Sequence, residues 1–487
     1  MKRIIISTLL LALIFSSCLE KANSFEAADT CPDIYPDYIG VTIPSTIAPL
    51  NFSLTQEAEV ISVTINEGKP DKTVFKSKNY VNFSEKIWRK MLEQHRGDSI
   101  TITLTVQAGG KQIQYKPFPI FISNNEIDYG IVYRLIAPGY SIYSKMGIYE
   151  RALGTYKEKP LFENTRVTRS CVNCHSFKAG DPSFLSMHLR GEHGGTVLQH
   201  PGSIEMLNLK TDETISAGVY PYWHPSGKYI AYSVNKTEQV FHTAEGKRIE
   251  VLDSASDIYV YCIETNQLIA SPLLATSSFE TFPTFSPDGK TLYFCSAEEK
   301  KAPEEYLQIK YSLCGIPFDA EQGLFGHTID TLVSAASLNK SITFPRPSHD
   351  GKYLMFTVSD YGTFPIWHPE ADLWMLDLRT NQLRELTEVN SDNTESYHSW
   401  SSNSCWFVFS SRRDDGLYTR PYIAGINDRG EISKPFMLPQ KDPGTFYDRL
   451  IYSYNVPEFI TASVSANPNE IEKLARKPDR KSPSLKP

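Results

Sequence analysis

The chain has 487 residues, long enough for two or more hydrophobic cores, and a formal net charge of −7. That acidic balance leaves no basic surface for a nucleic-acid partner, and none is expected. Its 27 tyrosines and 25 phenylalanines favour strands and point to an all-β fold.

Met1-Lys2-Arg3 is followed by an apolar run from Ile4 to Phe15 and then by Ser16-Ser17-Cys18. A charged start, a short apolar stretch and a small-residue ending are the layout of a secretory signal peptide over residues 1–18. The run is too short to span a bilayer. Its ending resembles a bacterial lipobox. That resemblance implies that Cys18 is lipidated and heads the mature protein, with 19–30 as a polar tether; ordinary secretion with Cys18 discarded is the alternative. Either way the chain leaves the cytoplasm. The lipidated form would face the periplasm or the cell surface from a bacterial membrane, with the outer membrane favoured.

Residues 31–127 read as a small β-rich, immunoglobulin-like sandwich with one helix. Val60–Ile65 and Ser99–Val106 alternate apolar and polar residues as half-buried strands do, and Gly109-Gly110 marks a hairpin turn into Lys111–Tyr115. Ser84 is placed to cap a helix ending near His95, with Ile87, Trp88, Met91 and Leu92 on one face. No catalytic constellation occurs here, so a spacer or binding module is expected.

Two further strands, Ile131–Ile136 and Met146–Arg151, lead to Cys171-Val172-Asn173-Cys174-His175. C-x-x-C-H is the spacing of covalent haem c attachment: each thiol adds to a vinyl group of one porphyrin, and the adjacent imidazole ligates the iron. From eight cysteines and eleven histidines, about 0.003 such matches are expected per chain by chance. A local disulfide, a thioredoxin-like redox pair and half of a zinc site compete. A redox pair usually opens a helix, whereas Ser176–Pro182 looks like a turn. A structural zinc wants a second Cys/His pair at finger-like spacing, and the remaining cysteines are scattered singly. Cys262, Cys295, Cys314 and Cys405, in strand-like runs, read as buried free thiols. The expectation is one haem c held by Cys171 and Cys174 with its iron on His175. Met187 and His188 are the candidates opposite His175; they are neighbours on a strand, so at most one faces the iron, and Met187 as plain core competes.

Beyond the motif the chain repeats itself. Trp223-His224-Pro225-Ser226-Gly227-Lys228, Phe285-Ser286-Pro287-Asp288-Gly289-Lys290 and Pro347-Ser348-His349-Asp350-Gly351-Lys352 each close a turn on Gly-Lys before an apolar strand, with glycines 62 residues apart. A degenerate fourth copy, Trp400–Phe409, has Ser404 at the glycine position. Companion phrases follow at Asp257–Asn266, Asp372–Asn381 and, more weakly, Tyr311–Pro317. A repeated unit of strands and turns that cannot bury its own faces is the mark of a propeller blade.

These phrases resemble the repeats of TolB-like six-bladed β-propellers. The resemblance implies a propeller over 128–460 with a central channel, acting as a periplasmic or surface-exposed binding scaffold. The motif-bearing blade, three clear copies and the degenerate copy make five. A sixth closes if Asp448–Tyr454 pairs with Ile131–Ile136. Aligned on the repeats, Cys171–His175 takes the place of a Trp-His-Pro turn, which would put the haem at one end of the propeller. The insertion from Asn235 to Ser254 departs from the family pattern and is expected to build a partner surface. The end of the chain, 461–487, rich in Lys, Arg, Pro and Ser, reads as disorder.

Three functions follow. The leading one is a lipid-anchored, exported propeller carrying one haem c, active in electron transfer or haem-dependent sensing with a redox or scaffold protein partner. The second is a non-enzymatic propeller that docks a protein or glycan, with a structural cysteine pair. The third is a haem peroxidase; a hydrolase is disfavoured because no G-x-S-x-G elbow follows the blades.

Overall fold

The computed structural model describes residues 25–56, 58–76, 80–138, 145–242 and 247–486. The expected signal peptide, Cys18 and most of the expected tether lie outside the described residues. Among the described residues no helix is long and apolar enough to cross a membrane.

Strand pairing defines a β-propeller. Among the described residues six antiparallel strand sets follow one another, the second and third joined into one sheet by a parallel bridge between Ser256 and Phe279, and each is led by an inner strand: Ser170–Lys178, Gly218–Trp223, Phe279–Phe285, Ser341–Pro347, Glu395–Trp400 and, last in the chain, Ser453–Ile460. We number the sheets as blades by chain position. Blade 1 (Gly130–Ile136, Gly147–Ala152, Glu158–Glu163) receives Ser453–Ile460 as its inner strand, and blades 2 to 6 carry the other five inner strands in order. The ring is therefore closed by strand exchange between the two ends of the domain, five residues later than the expected Asp448. Closure of this kind leaves only short, protected strand edges.

The repeated turns share one network. In blade 4, Ser286 Oγ donates to Asp288 Oδ1 (2.6 Å) and accepts from the Thr291 N–H (3.0 Å). Ser348 does the same with Asp350 (2.7 Å) and Tyr353 (3.0 Å) in blade 5. The degenerate copy keeps the bonds with substitutes: Ser401 Oγ donates to Asn403 (2.7 Å) and accepts from Trp406 N–H (3.0 Å). Ser404 takes φ of 59°, beside 74°, 73° and 72° at Gly227, Gly289 and Gly351. A turn that needs left-handed backbone is cheapest with glycine, and Ser404 meets the same geometry at some cost.

The N-terminal region forms a seven-stranded sheet and a three-stranded sheet with the helix Glu85–Gln94. Trp88, Met91 and Leu92 are buried as expected, but Ile87 is 42% exposed because it lies on the edge of the apolar stripe. The Gly109-Gly110 hairpin joins Ser99–Ala108 to Lys111–Gln114. Its core is continuous with the propeller: Ile43, Ile102 and Phe118 share one cluster with Tyr133, Trp406, Ile423 and Tyr454. The tether expectation is corrected at its end, since Glu26–Ala27 pairs with Ile113–Gln114.

The expectation of disorder after 460 is also corrected. Pro468–Arg476 is a helix capped by Asn467, and its Ile471 and Ala475 are buried against Val132, Phe162 and Val197 between blades 1 and 2. Ser484–Leu485 then adds to the outer strand Gln267–Ile269 of blade 3. Average composition hid a short amphipathic repeat that the blade edges supply with a partner.

At the axis lies a ring of side chains that follows from one backbone irregularity. Each inner strand carries a bulge at which a non-glycine residue takes left-handed φ: Cys174 (48°), Tyr220 (49°), Phe282 (52°), Phe344 (52°), Tyr397 (51°) and Val456 (52°). The bulge costs roughly 1–3 kcal/mol per residue and re-aims one side chain. Packing offsets it: ring centroids are 4.5 Å apart for Tyr220–Phe282, 4.1 Å for Phe282–Phe344 and 4.9 Å for Phe344–Tyr397. Phe344→Ala should lower unfolding free energy by about 3–5 kcal/mol in urea denaturation; a loss under about 1 kcal/mol would show that the ring does not hold the inner strands together.

Candidate functional site

The motif lies within the inner strand of blade 2, in the middle of the channel wall. Cys174 corresponds to Tyr220 of the next blade, and Phe177, not His175, corresponds to Trp223. The expectation that the motif replaces a turn at one end is therefore corrected. Its cause is the bulge, which shifts the alignment of strand and turn and was not visible in the repeat pattern.

Residues that follow the bulge in each inner strand line one end of the channel, and those that precede it line the other. The motif straddles the ring. Cys171, half-buried, packs against the core between blades 1 and 2. Cys174 is a ring member, close enough to Tyr220 and Tyr397 to help raise both phenols, although burial is the larger cause for each. Neither thiol is in a disulfide. Asn173 between them donates to Cys171 Sγ (3.3 Å) and accepts from Arg134.

His175 follows the ring. It is buried against the backbone of Val132 and Val456, its Nε2 has no partner among the described residues, and burial holds it down to about 3, so the imidazole is neutral. It lines a cavity of about 50 Å3 with Tyr222, Arg346, His398 and Glu458. Both ring nitrogens of His398 are also unpartnered, and burial lowers it to about 3. Glu458 is pushed up to about 8 by burial, against the pull of the Phe177 N–H (2.9 Å) and Arg346. A polar chamber of this size takes water rather than a porphyrin.

The two candidates for the position opposite His175 do not join it. Met187 is 1% exposed in the core shared by blades 1 and 2. His188 is buried, its Nδ1 bonded to Thr196 Oγ1 (3.0 Å), and it lines a separate cavity of about 530 Å3 with Arg190 and Asn235. Among the described residues no group of three or more His, Cys, Asp or Glu could hold a metal ion, so the half-zinc alternative finds no second half there.

The end of the channel that precedes the ring is crossed by a strap that the sequence showed only as an insertion. Tyr229–Phe241 and Ile249–Cys262 of blade 3 extend as one long hairpin. Its Glu250, 1% exposed, accepts from Tyr361 Oη (3.1 Å) and pairs with His368 Nε2 (3.1 Å), both from blade 5. Beneath the strap, Arg134, Asn455, Trp367 and Arg412 line a cavity of about 180 Å3. Sequence reasoning passed over Arg134 and Arg412 because neither belongs to a motif. His224 has a packing role: its Nε2 lies 3.1 Å from the Gly289 carbonyl on the next turn.

The donor types fit haem c. Two unpaired thiols stand at the required spacing, and a neutral imidazole offers a free Nε2. The imidazole, however, faces the small chamber on the far side of the ring from Cys171, so one porphyrin bonded to all three needs His175 to turn from its present direction.

Two ionisable groups give the chamber a pH signature. Glu458 is raised, so the stability it lends is complete below about 4.5 and is lost as pH rises through about 8. His398 is lowered, so its contribution is complete above about 6.5 and is lost as pH falls toward about 3. Melting temperature followed across pH should therefore decline on both limbs. Glu458→Gln is expected to flatten the alkaline limb and His398→Gln the acid one; unchanged limbs would refute this assignment.

No family model matches the chain. A stretch of 172 residues is 23% identical to dipeptidyl-peptidase 5 of Porphyromonas gingivalis, covering 35% of this chain and 21% of that one. The chain thus spans about a fifth of that relative's length. Among solved structures it is similar to TolB from Acinetobacter baumannii (TM-score 0.42, 12% identity, 77% of this chain and 85% of that one). It is similar also to the β-propeller domain of Myceliophteria thermophila Cps50 (TM-score 0.34, 11% identity, 80% and 98%). The propeller itself is read from the chain's own strand pairings.

Proposed function

We propose that the chain carries one haem c, linked through Cys171 and Cys174 and ligated by His175, on an exported propeller tethered to a bacterial membrane through Cys18. The observation that carries this reading is the C-x-x-C-H sequence with both thiols free and the imidazole neutral, its Nε2 unpartnered. Bound there, the haem iron would exchange single electrons or report a ligand. The chain's own residues do the rest. Burial keeps His175 deprotonated, as a metal ligand must be, and the aromatic ring bars water from one side of Cys174. Arg134, bonded to Asn173, holds the stretch of strand between the thiols. A redox or scaffold protein would dock on the outer blade faces or the strap.

Co-expression with a cytochrome c maturation system should give a pyridine haemochrome and one tetrapyrrole on the peptide spanning Cys171 and Cys174. Cys171→Ser combined with Cys174→Ser should abolish both signals; native peptide of unmodified mass would end the haem reading. Incorporation of labelled palmitate in a lipoprotein-processing host, lost in Cys18→Ser, is the expected outcome for the anchor, and labelling that persists in that variant would refute it.

A further inference from the structure

The cavity beneath the strap holds positive charge without a counter-ion. Arg412 is 3% exposed, and its Nε has no partner. Its guanidinium lies 3.4 Å from the centroid of the Trp367 ring and donates to the Leu417 carbonyl. The carboxylate it senses, Asp415, is engaged by Arg420 (3.2 Å). Arg134 stands across the same cavity, its Nε also buried and, among the described residues, unpartnered, while its Nη1 donates to the neutral Asn173 side chain. Among the described residues neither guanidinium is paired with a carboxylate. The hydroxyl of Tyr397 is near enough to feel both. Burial, with a smaller contribution from Arg248, brings Arg412 down to about 9.

An unpaired buried cation is expensive, and the loss is recovered when an anion arrives with the matching geometry. The guanidinium fork suits the two oxygens of a carboxylate. The other walls are apolar: Ile249 and Val251 from the strap, with Phe364 and Ile366 from blade 5. At about 180 Å3 the cavity admits one end of a ligand and not a whole drug-sized molecule.

We infer that Arg134 and Arg412 form a binding site for a carboxylate carried on an apolar body, seated between the aromatic ring and the strap. The site stands independently of the haem reading. Two sources share the chemistry, a propionate of a porphyrin attached at the neighbouring cysteines and a free apolar acid.

The test uses the full-length exported protein and 3-phenylpropionate as probe, with 3-phenylpropanamide as the uncharged control, read by calorimetry and by thermal shift. The Cys171→Ser, Cys174→Ser protein, which cannot attach haem, should bind the acid and ignore the amide. Affinity should fall about tenfold or more in Arg412→Gln and in Arg134→Gln, with Arg412→Lys between. Near-UV circular dichroism separates lost binding from lost folding, and the less buried Arg134 keeps the test open if Arg412→Gln fails to fold. If haem-loaded protein no longer binds the acid while the thiol-free protein does, a propionate is the native occupant; if both bind, it is a free acid. Equal response to acid and amide, or binding untouched by either arginine substitution, overturns the site.

Discussion

The structure depends on six strained residues packed against one another at the axis. Each inner strand would run past the axis with its side chains alternating between its two neighbouring blades. The bulge breaks that alternation and turns one side chain inward at a common level. Because the backbone cost is met by contacts between blades, no blade can adopt the conformation alone. The ring therefore couples all six sheets and divides the channel into two chambers of different character.

That division gives the motif its meaning. Cys174 occupies a ring position that aromatic residues hold in four blades, and it is the one member with a thiol. On one side the chamber is small, with imidazoles below and a carboxyl above their usual ranges around the buried Arg346. On the other it is positively charged and roofed by the strap, whose Glu250 reaches over blade 4 to blade 5. Low dielectric sharpens both: it neutralises groups that can release or take a proton and leaves arginine, which cannot easily do so, as the remaining charge.

The N-terminal sheets and the C-terminal tail brace this assembly from outside. Trp406 of blade 6 sits in the same cluster as Ile43 and donates to the Glu126 carbonyl (3.0 Å), so the small domain acts as a buttress of the propeller. The tail helix covers the seam between blades 1 and 2 at their outer strands, Glu158–Glu163 and Ser203–Leu207.

The amino-acid sequence alone determined the all-β class, the propeller repeat, the glycine-closed turns and the helix of the small domain, because each is written in local residue types at short spacing. It also marked Cys171, Cys174 and His175 as a unit. It did not reveal the level at which those residues meet the axis, since a bulge changes facing without changing composition. It gave no sign of Arg134 and Arg412, which are 278 residues apart in the chain and acquire a common role only when the closing strand joins blade 1 to blade 6. Ile87 and the tail helix show the same limit from the other side: a short amphipathic segment is exposed or buried according to the surface that the rest of the chain offers it, and only the tertiary structure decides that.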